Sequence, residues 1–282
     1  MSNLLKGSAV ASAITEDLII RCEALKQNGI EPTLAMLKLG DDEADSSYER
    51  NAEKRCEKVG IAVKHFSLAK TASKSEVLGL VKQINEDDSI HALLMFRPIY
   101  DKELEDEVSK LLDPAKDVDA MTPSSLSSVF LGRKDGFAPC TAQACIEILD
   151  YYGIDLSGKN VTVIGRSPVV GKPLSMMLQN RNATVTMCHT KTKELPEIAK
   201  NAEILVVAAG HPATVKADMV NTNQIIVDVG INVVDGNLCG DVDFEAVSEL
   251  VQAITPVPGG VGAVTTSVLA KHVIEACERQ IL

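Results

Sequence analysis

The sequence predicts an α/β protein made of two parallel-sheet domains, and three observations predict it. Helix-period and strand-period apolar patterns alternate through residues 1–120, a second run of short β-branched strands begins at Val161, and a Pro- and Gly-rich stretch separates the two sets. With 282 residues, 45% of them hydrophobic, the chain can bury two ordinary cores.

In order, residues 8–28 read as an amphipathic helix ending near Gly29, and Thr33 to Leu37 as a buried strand. Residues 43–59 form a second helix stopped by Gly60, followed by a strand over 61–68. A third helix covers 73–85, a third strand 91–96 and a fourth helix 101–112, closed by Asp113-Pro114. Strands then recur at 161–165, 184–188, 204–208 and 225–229, and a last helix spans 264–279. Such βα alternation implies parallel sheets covered on both faces. The domains expected are 1–120 with 264–282, and 140–263. Residues 121–139, with Pro123, Gly132, Gly136 and Pro139, form the region between them.

A net charge of −11 and a pI near 5.0 argue against nucleic acid, because binding a phosphate backbone needs clustered Lys and Arg. The first twenty residues are interrupted by Lys6, Glu16 and Asp17, so neither a signal peptide nor a spanning helix is expected, and no membrane association. Seven scattered cysteines without a Cys-x-x-Cys pair fit free thiols in a reducing cytoplasm and no metal site.

The most informative segment is Val161 to Pro173. A buried strand ends at Gly165, a turn carries Arg166, Ser167 and Val170, and a helix begins near Gly171. That order aims backbone N–H groups and a helix N-terminus at a pyrophosphate. Ser167 stands where the common Gly-x-Gly-x-x-Gly pattern has its second glycine. The end of the next strand reads Cys188-His189-Thr190-Lys191, with no carboxylate for a ribose diol. Arg166, Thr190 and Lys191 offer donors and positive charge instead, which favours NADP over NAD. The turns holding Ala209 and Gly210, and Gly230 and Ile231, also follow apolar strands, where open α/β sheets bind ligands. His211, between Gly210 and Pro212, reads as a loop-shaping residue, since no orienting carboxylate is near it in sequence.

Together with Asp228-Val229-Gly230-Ile231-Asn232, Gly240-Asp241-Val242-Asp243 and Pro256-Val257-Pro258-Gly259-Gly260-Val261-Gly262, these segments resemble the bifunctional methylenetetrahydrofolate dehydrogenase/cyclohydrolase family over nearly the whole chain. The resemblance implies a folate-binding N-terminal domain completed by the C-terminal helix, a Rossmann domain holding NADP, a folate cleft between them, and a homodimer. It makes His189 a cofactor contact and Pro258, Gly259 and Gly262 substrate contacts. It also implies a Tyr-x-x-x-Lys helix motif, with Tyr48 stacking on the folate. The lysine position is Ala52, and Lys54 lies about 200° from Ala52 around the helix, where it reads as solvated.

In the family's Val-Gln-Leu-Pro strand end the glutamine position is Phe96, and Arg97 is expected to point to the opposite face. The Pro-x-Lys-Asp-Val-Asp-Gly motif keeps Asp119, which the resemblance assigns to the pterin ring, but ends in Ala120. Ala142, Ala144, Ala263 and Val264 are smaller departures. The expected function is NADP-dependent oxidation of 5,10-methylenetetrahydrofolate, catalysed around Tyr48 and Asp119, with the cyclohydrolase lost or very weak. A fully bifunctional enzyme, a dehydrogenase of another pterin-like substrate and an NADP-binding regulatory protein stay open as alternatives.

Overall fold

The computed structural model describes residues 3–40 and 43–281. The chain divides into two compact units, 13–140 with 266–282 and 1–12 with 141–265.

The first unit holds a three-stranded parallel sheet of β2 (Thr33–Leu39), β3 (Ala62–Leu68) and β4 (Ala92–Met95) in the order β3-β2-β4; β1 lies in the other unit. Six of the seven residues of β2 are buried, as a central strand covered on both faces requires. Helices α1 (Gly7–Gln27, from residue 13 onward), α2 (Glu43–Val59), α3 (Lys74–Glu86) and α4 (Lys102–Leu111) belong with this sheet. α3 starts at a capping box in which Ser73 and Glu76 satisfy each other's backbone N–H groups. Asp101 caps α4. Val77, Val81 and Ile84 of α3 and Leu104 and Val108 of α4 pack with Leu37 and Leu93, each burial contributing about 1.5–3 kcal/mol.

Residues 121–139, expected as the region between domains, are not a structureless connection. They carry α5 (Pro123–Leu131) and belong to the first unit. The Pro and Gly that suggest a linker are helix punctuation: Pro123 opens the helix behind the N-cap Thr122, and Gly132 closes it in the left-handed conformation. The segment is tied down by the buried Asp117 carboxylate, which accepts the Met121 and Thr122 N–H groups, both at 2.8 Å, and the Thr122 hydroxyl at 2.6 Å.

The second unit is a six-stranded parallel sheet in the order β1-β11-β8-β7-β5-β6, with β1 at Asn3–Leu4, β5 at Asn160–Ile164, β6 at Thr184–Cys188, β7 at Ile204–Val207, β8 at Ile225–Asp228 and β11 at Ala253–Ile254. The N-terminal residues therefore join this sheet, through Asn3 and Leu4 beside Ala253 and Ile254. Also in this unit are most of α6 (Cys140–Tyr151), then α7 (Gly171–Gln179), α8 (Leu195–Lys200) and α9 (Phe244–Val247). β9 (Asn232–Val234) and β10 (Asn237–Cys239) form a separate antiparallel hairpin. α10 (Val261–Ile281) runs from Thr266 onward within the first unit. No described helix is long and apolar enough to cross a membrane.

Candidate active site and nucleotide cradle

β5 pairs with β6 on one side and β7 on the other, so the chain leaves β5 in one direction, returns and crosses to the opposite edge. This is a topological switch point, and the crevice outside the carboxyl ends of β5 and β7 is where such sheets bind ligands. Gly165 and Ala208 lie there, each one residue past its strand.

The turn is packed so closely that only glycine fits it. Gly165 has φ +132°, and a methyl carbon on it would sit 2.2 Å from the Ala208 carbonyl oxygen. One on Gly171 would sit 2.2 Å from the Gly165 carbonyl oxygen and 2.9 Å from the Arg166 nitrogen. Ser167 accepts the Val170 N–H at 3.0 Å, shaping the turn that a second glycine shapes elsewhere. α7 starts immediately after, and its N-cap Val170 supplies no side-chain hydrogen bond. That cradle of close backbone and an uncapped helix start fits a dinucleotide pyrophosphate. Arg166, Thr190 and Lys191 lie at the carboxyl ends of the adjacent strands β5 and β6. The His189 ring accepts the Lys191 N–H through Nδ1 at 3.1 Å.

Two buried aspartates fix the neighbouring turns. Asp241 Oδ2 accepts the N–H groups of Ala209 at 2.6 Å and Gly210 at 2.8 Å, and its Oδ1 accepts Asn232 Nδ2 at 2.9 Å. Asp228 accepts the N–H groups of Gly230, Asp241 and Val242. Burial pushes the Asp228 carboxyl up to about 6, against the pull of those donors. Sequence alone assigns Asp241 no role, although it falls in the Gly240-Asp241-Val242-Asp243 segment. Its carboxylate ties the 209–210 turn to the 230–232 turn. His211 is exposed and its carbonyl accepts the Thr214 hydroxyl, consistent with a loop-shaping part.

In the first unit, Tyr48, Phe96, Arg97 and Asp119 converge. The rings of Tyr48 and Phe96 meet edge to face, 6.2 Å between centroids at 78°. Ala52, one helical turn beyond Tyr48, is fully buried, whereas Lys54 is exposed. Burial, then the adjacent Cys140 and Asp119, pushes the Tyr48 phenol well above its ordinary range. Asp119 Oδ1 accepts the Cys140 N–H at 2.8 Å, and Oδ2 accepts Arg97 Nη2 at 3.3 Å.

The last contact corrects the expectation that Arg97 faces away. β4 ends at Met95, so strand alternation no longer governs the bend that follows, and Phe96 and Arg97 reach the same group of residues. Cys140 is buried, and its thiol is pushed well up by burial and then by Asp119. It is an inert positioning group rather than a nucleophile. Ala120 adopts φ +52°, a left-handed conformation that costs about 1–2 kcal/mol outside glycine and that the glycine of the related motif would adopt freely.

Pro258, Gly259 and Gly262 belong to the other unit. The Val257–Pro258 peptide is cis, and Gly259, at φ +100°, accepts the Gly7 N–H at 2.8 Å. Ala142 and Ala144 are fully buried. Among the described residues no cluster of three or more His, Cys, Asp or Glu side chains could hold a metal, and all seven cysteines are free.

Comparison with known proteins gives the lineage. Residues 5–119 match the catalytic domain of tetrahydrofolate dehydrogenase/cyclohydrolase, and residues 139–281 match its NAD(P)-binding domain. The bifunctional protein FolD of Clostridium botulinum (strain Okra / Type B1) is 50% identical over 281 residues, 99% of either chain. The crystal structure of the bifunctional FolD methylenetetrahydrofolate dehydrogenase/cyclohydrolase from Campylobacter jejuni superposes with a TM-score of 0.96 at 38% identity, covering 99% of this chain and 100% of that one. The Trypanosoma brucei N5,N10-methylenetetrahydrofolate dehydrogenase-cyclohydrolase, solved with NADP cofactor and an inhibitor, has a TM-score of 0.93 at 28% identity, with 99% and 98% covered. An α/β catalytic domain, a Rossmann-type sheet with its glycine cradle at the switch point, and matches that span both domains make this chain a member of the tetrahydrofolate dehydrogenase/cyclohydrolase family.

Proposed function

We propose that this chain oxidises 5,10-methylenetetrahydrofolate to the 5,10-methenyl product with NADP, and that it has lost most or all cyclohydrolase activity. The carrying observation is the pairing of a glycine cradle at the switch point with a Tyr48–Asp119 group whose lysine and glutamine positions are Ala52 and Phe96. When bound, NADP supplies the nicotinamide carbon that accepts a hydride from the methylene carbon, leaving a resonance-stabilised cation. The chain's own part in that step is positioning, with no proton to move. Tyr48 offers a ring face and Asp119 two carboxylate oxygens, while Pro258, Gly259 and Gly262 supply further substrate contacts. Gly165, Arg166, Ser167, Val170, Gly171, His189, Thr190, Ala209, Gly210, Gly230 and Ile231 hold the nucleotide.

Hydrolysing the cation is a different task, since it needs an activated water and proton management. A methyl group and a phenyl ring supply neither. The relatives carry a name with two activities, and this chain is proposed to keep one. A homodimer in the cytoplasm completes the reading. The exposed apolar side chains Val233 and Leu238 of the β9–β10 hairpin give such a dimer a surface to cover.

Two measurements test the site assignments. Asp119→Ala is expected to raise the folate KM at least ~10-fold, because a carboxylate accepting two hydrogen bonds from the pterin edge is lost, with NADP affinity nearly intact. Unchanged folate kinetics would remove Asp119 from the site. Arg166→Ala is expected to weaken NADP by roughly 10-fold and NAD hardly at all, since only NADP carries the 2′-phosphate. Equal losses for both cofactors would end the assignment of Arg166 to that phosphate.

A further inference from the structure

Arg97 stands where the related motif has an apolar residue, and its surroundings ask for a ligand. Its Nη2 spends both hydrogens on Asp119, one toward the main-chain oxygen and one toward Oδ2, each at 3.3 Å. The Nε and Nη1 groups, with three further hydrogens, have no acceptor among the described residues. The Arg97 side chain is only 18% exposed and the Asp119 side chain 24%. The unspent donors are not sealed in the interior, since Arg97 keeps some exposure, and they are open to an acceptor that arrives from solvent beside Asp119. The arrangement is therefore a cationic donor set directly beside a carboxylate whose Oδ1 accepts the Cys140 N–H and whose Oδ2 accepts Arg97, and a carboxylate's two oxygens can each take a further donor.

We propose that Arg97 and Asp119 together read the 2-amino-4-oxo-pyrimidine edge of the pterin, Asp119 accepting from the 2-amino and N3–H groups and Arg97 donating to the 4-oxo oxygen. The inference rests on the reading that Asp119 holds the pterin, and adds a specificity-determining residue to it. The edge presents donor, donor and acceptor in line, and the pair presents acceptor, acceptor and donor. Replacing the 4-oxo oxygen by an amino group turns that acceptor into a donor facing a cation and also strips the hydrogen from N3, so wild type rejects the 4-amino edge at both residues and only an Arg97 substitution isolates the 4-position. A purely structural Arg97, acting only to hold Asp119, confers no such discrimination.

The test uses the full-length protein and two probes, tetrahydrofolate and its 4-amino-4-deoxy counterpart, each measured as a competitive ligand against methylenetetrahydrofolate. Arg97→Leu is expected to weaken tetrahydrofolate by roughly 10- to 100-fold while changing the 4-amino compound by less than about 3-fold. Arg97→Lys, which keeps a cationic donor, recovers part of the loss. Asp119→Asn is expected to weaken tetrahydrofolate, whose 2-amino and N3–H groups both need an acceptor. NADP affinity and the thermal midpoint check that each variant is folded, and Arg97→Gln takes the place of Arg97→Leu if the latter is not. Equal weakening of the two probes by Arg97→Leu, or weakening of neither, overturns the role of Arg97. Indifference of tetrahydrofolate to Asp119→Asn overturns the reading beneath it.

Discussion

Gly171→Ala is expected to weaken NADP binding at least ~100-fold, and Gly165→Ala to do the same with a larger loss of stability. The reason is that the three nearest neighbours of the added methyl on Gly171 are all backbone. It meets the Gly165 oxygen at 2.2 Å, the Gly165 carbon at 2.6 Å and the Arg166 nitrogen at 2.9 Å. No rotamer change relieves such a contact, so the turn opens and the N–H groups proposed to face the pyrophosphate diverge. Gly165→Ala adds the penalty of φ +132°, which only glycine adopts freely. Gly79, in the middle of α3 and with nothing within 4 Å of an added methyl, provides the control. Gly79→Ala is expected to leave NADP binding unchanged and to stabilise the chain by roughly 0.5–1 kcal/mol through helix propensity. Calorimetric titration with NADP beside thermal melts reads all three variants. Wild-type affinity in Gly171→Ala would mean the cradle is not where the pyrophosphate sits.

Much of this is legible in the sequence, and what is not has identifiable physical causes. The long elements follow from apolar pattern, because a helix such as α3 buries one repeating face and a strand such as β2 is a continuous apolar run buried on both faces. The switch-point cradle is legible too, since glycines at 165 and 171 between a buried strand and a helix mark a turn whose backbone segments approach too closely for a side chain. Asn3–Leu4 is not, because a two-residue strand has no period and owes its existence to Ala253 and Ile254 across the sheet. The helix within residues 121–139 is not legible either, because Pro and Gly punctuate helices as readily as linkers, and the contacts of Asp117 and Thr122 are what set its start. The β9–β10 hairpin does carry a local signal: Asp235 and Gly236 both take positive φ, as an Asp-Gly turn of type I′ requires. Arg97 escapes the sequence because strand alternation stops at Met95. Side-chain directions beyond the last ladder residue are set by tertiary contacts, here a carboxylate, and sequence period says nothing about them.

Methenyltetrahydrofolate hydrolysis by the wild-type chain is expected to run no faster than in buffer, and Ala52→Lys with Phe96→Gln to raise it measurably above the sum of the two single changes. Ala52 and Phe96 both border Tyr48, the first one helical turn along α2 and the second edge to face across the ring. The family motifs that this chain resembles pair a lysine and a glutamine at these positions, so each single replacement here restores only half of the pair. Ala52 is 0% exposed, and a lysine placed there alone carries an ammonium into a buried site with the glutamine partner still missing. Desolvation favours loss of its proton, so the single variant has a neutral or displaced amine. Phe96→Gln alone removes an aromatic contact with Tyr48, leaves unfilled space and supplies an amide with no partner. Only the double variant provides an amine and an acceptor for it, and residues in one hydrogen-bonded group couple by roughly 0.5–3 kcal/mol. Dehydrogenase activity, followed separately through NADPH formation, reports whether each variant still binds its substrates. Strictly additive effects would show that positions 52 and 96 do not act together, and wild-type hydrolysis well above the buffer rate would show that another group in this chain activates the water.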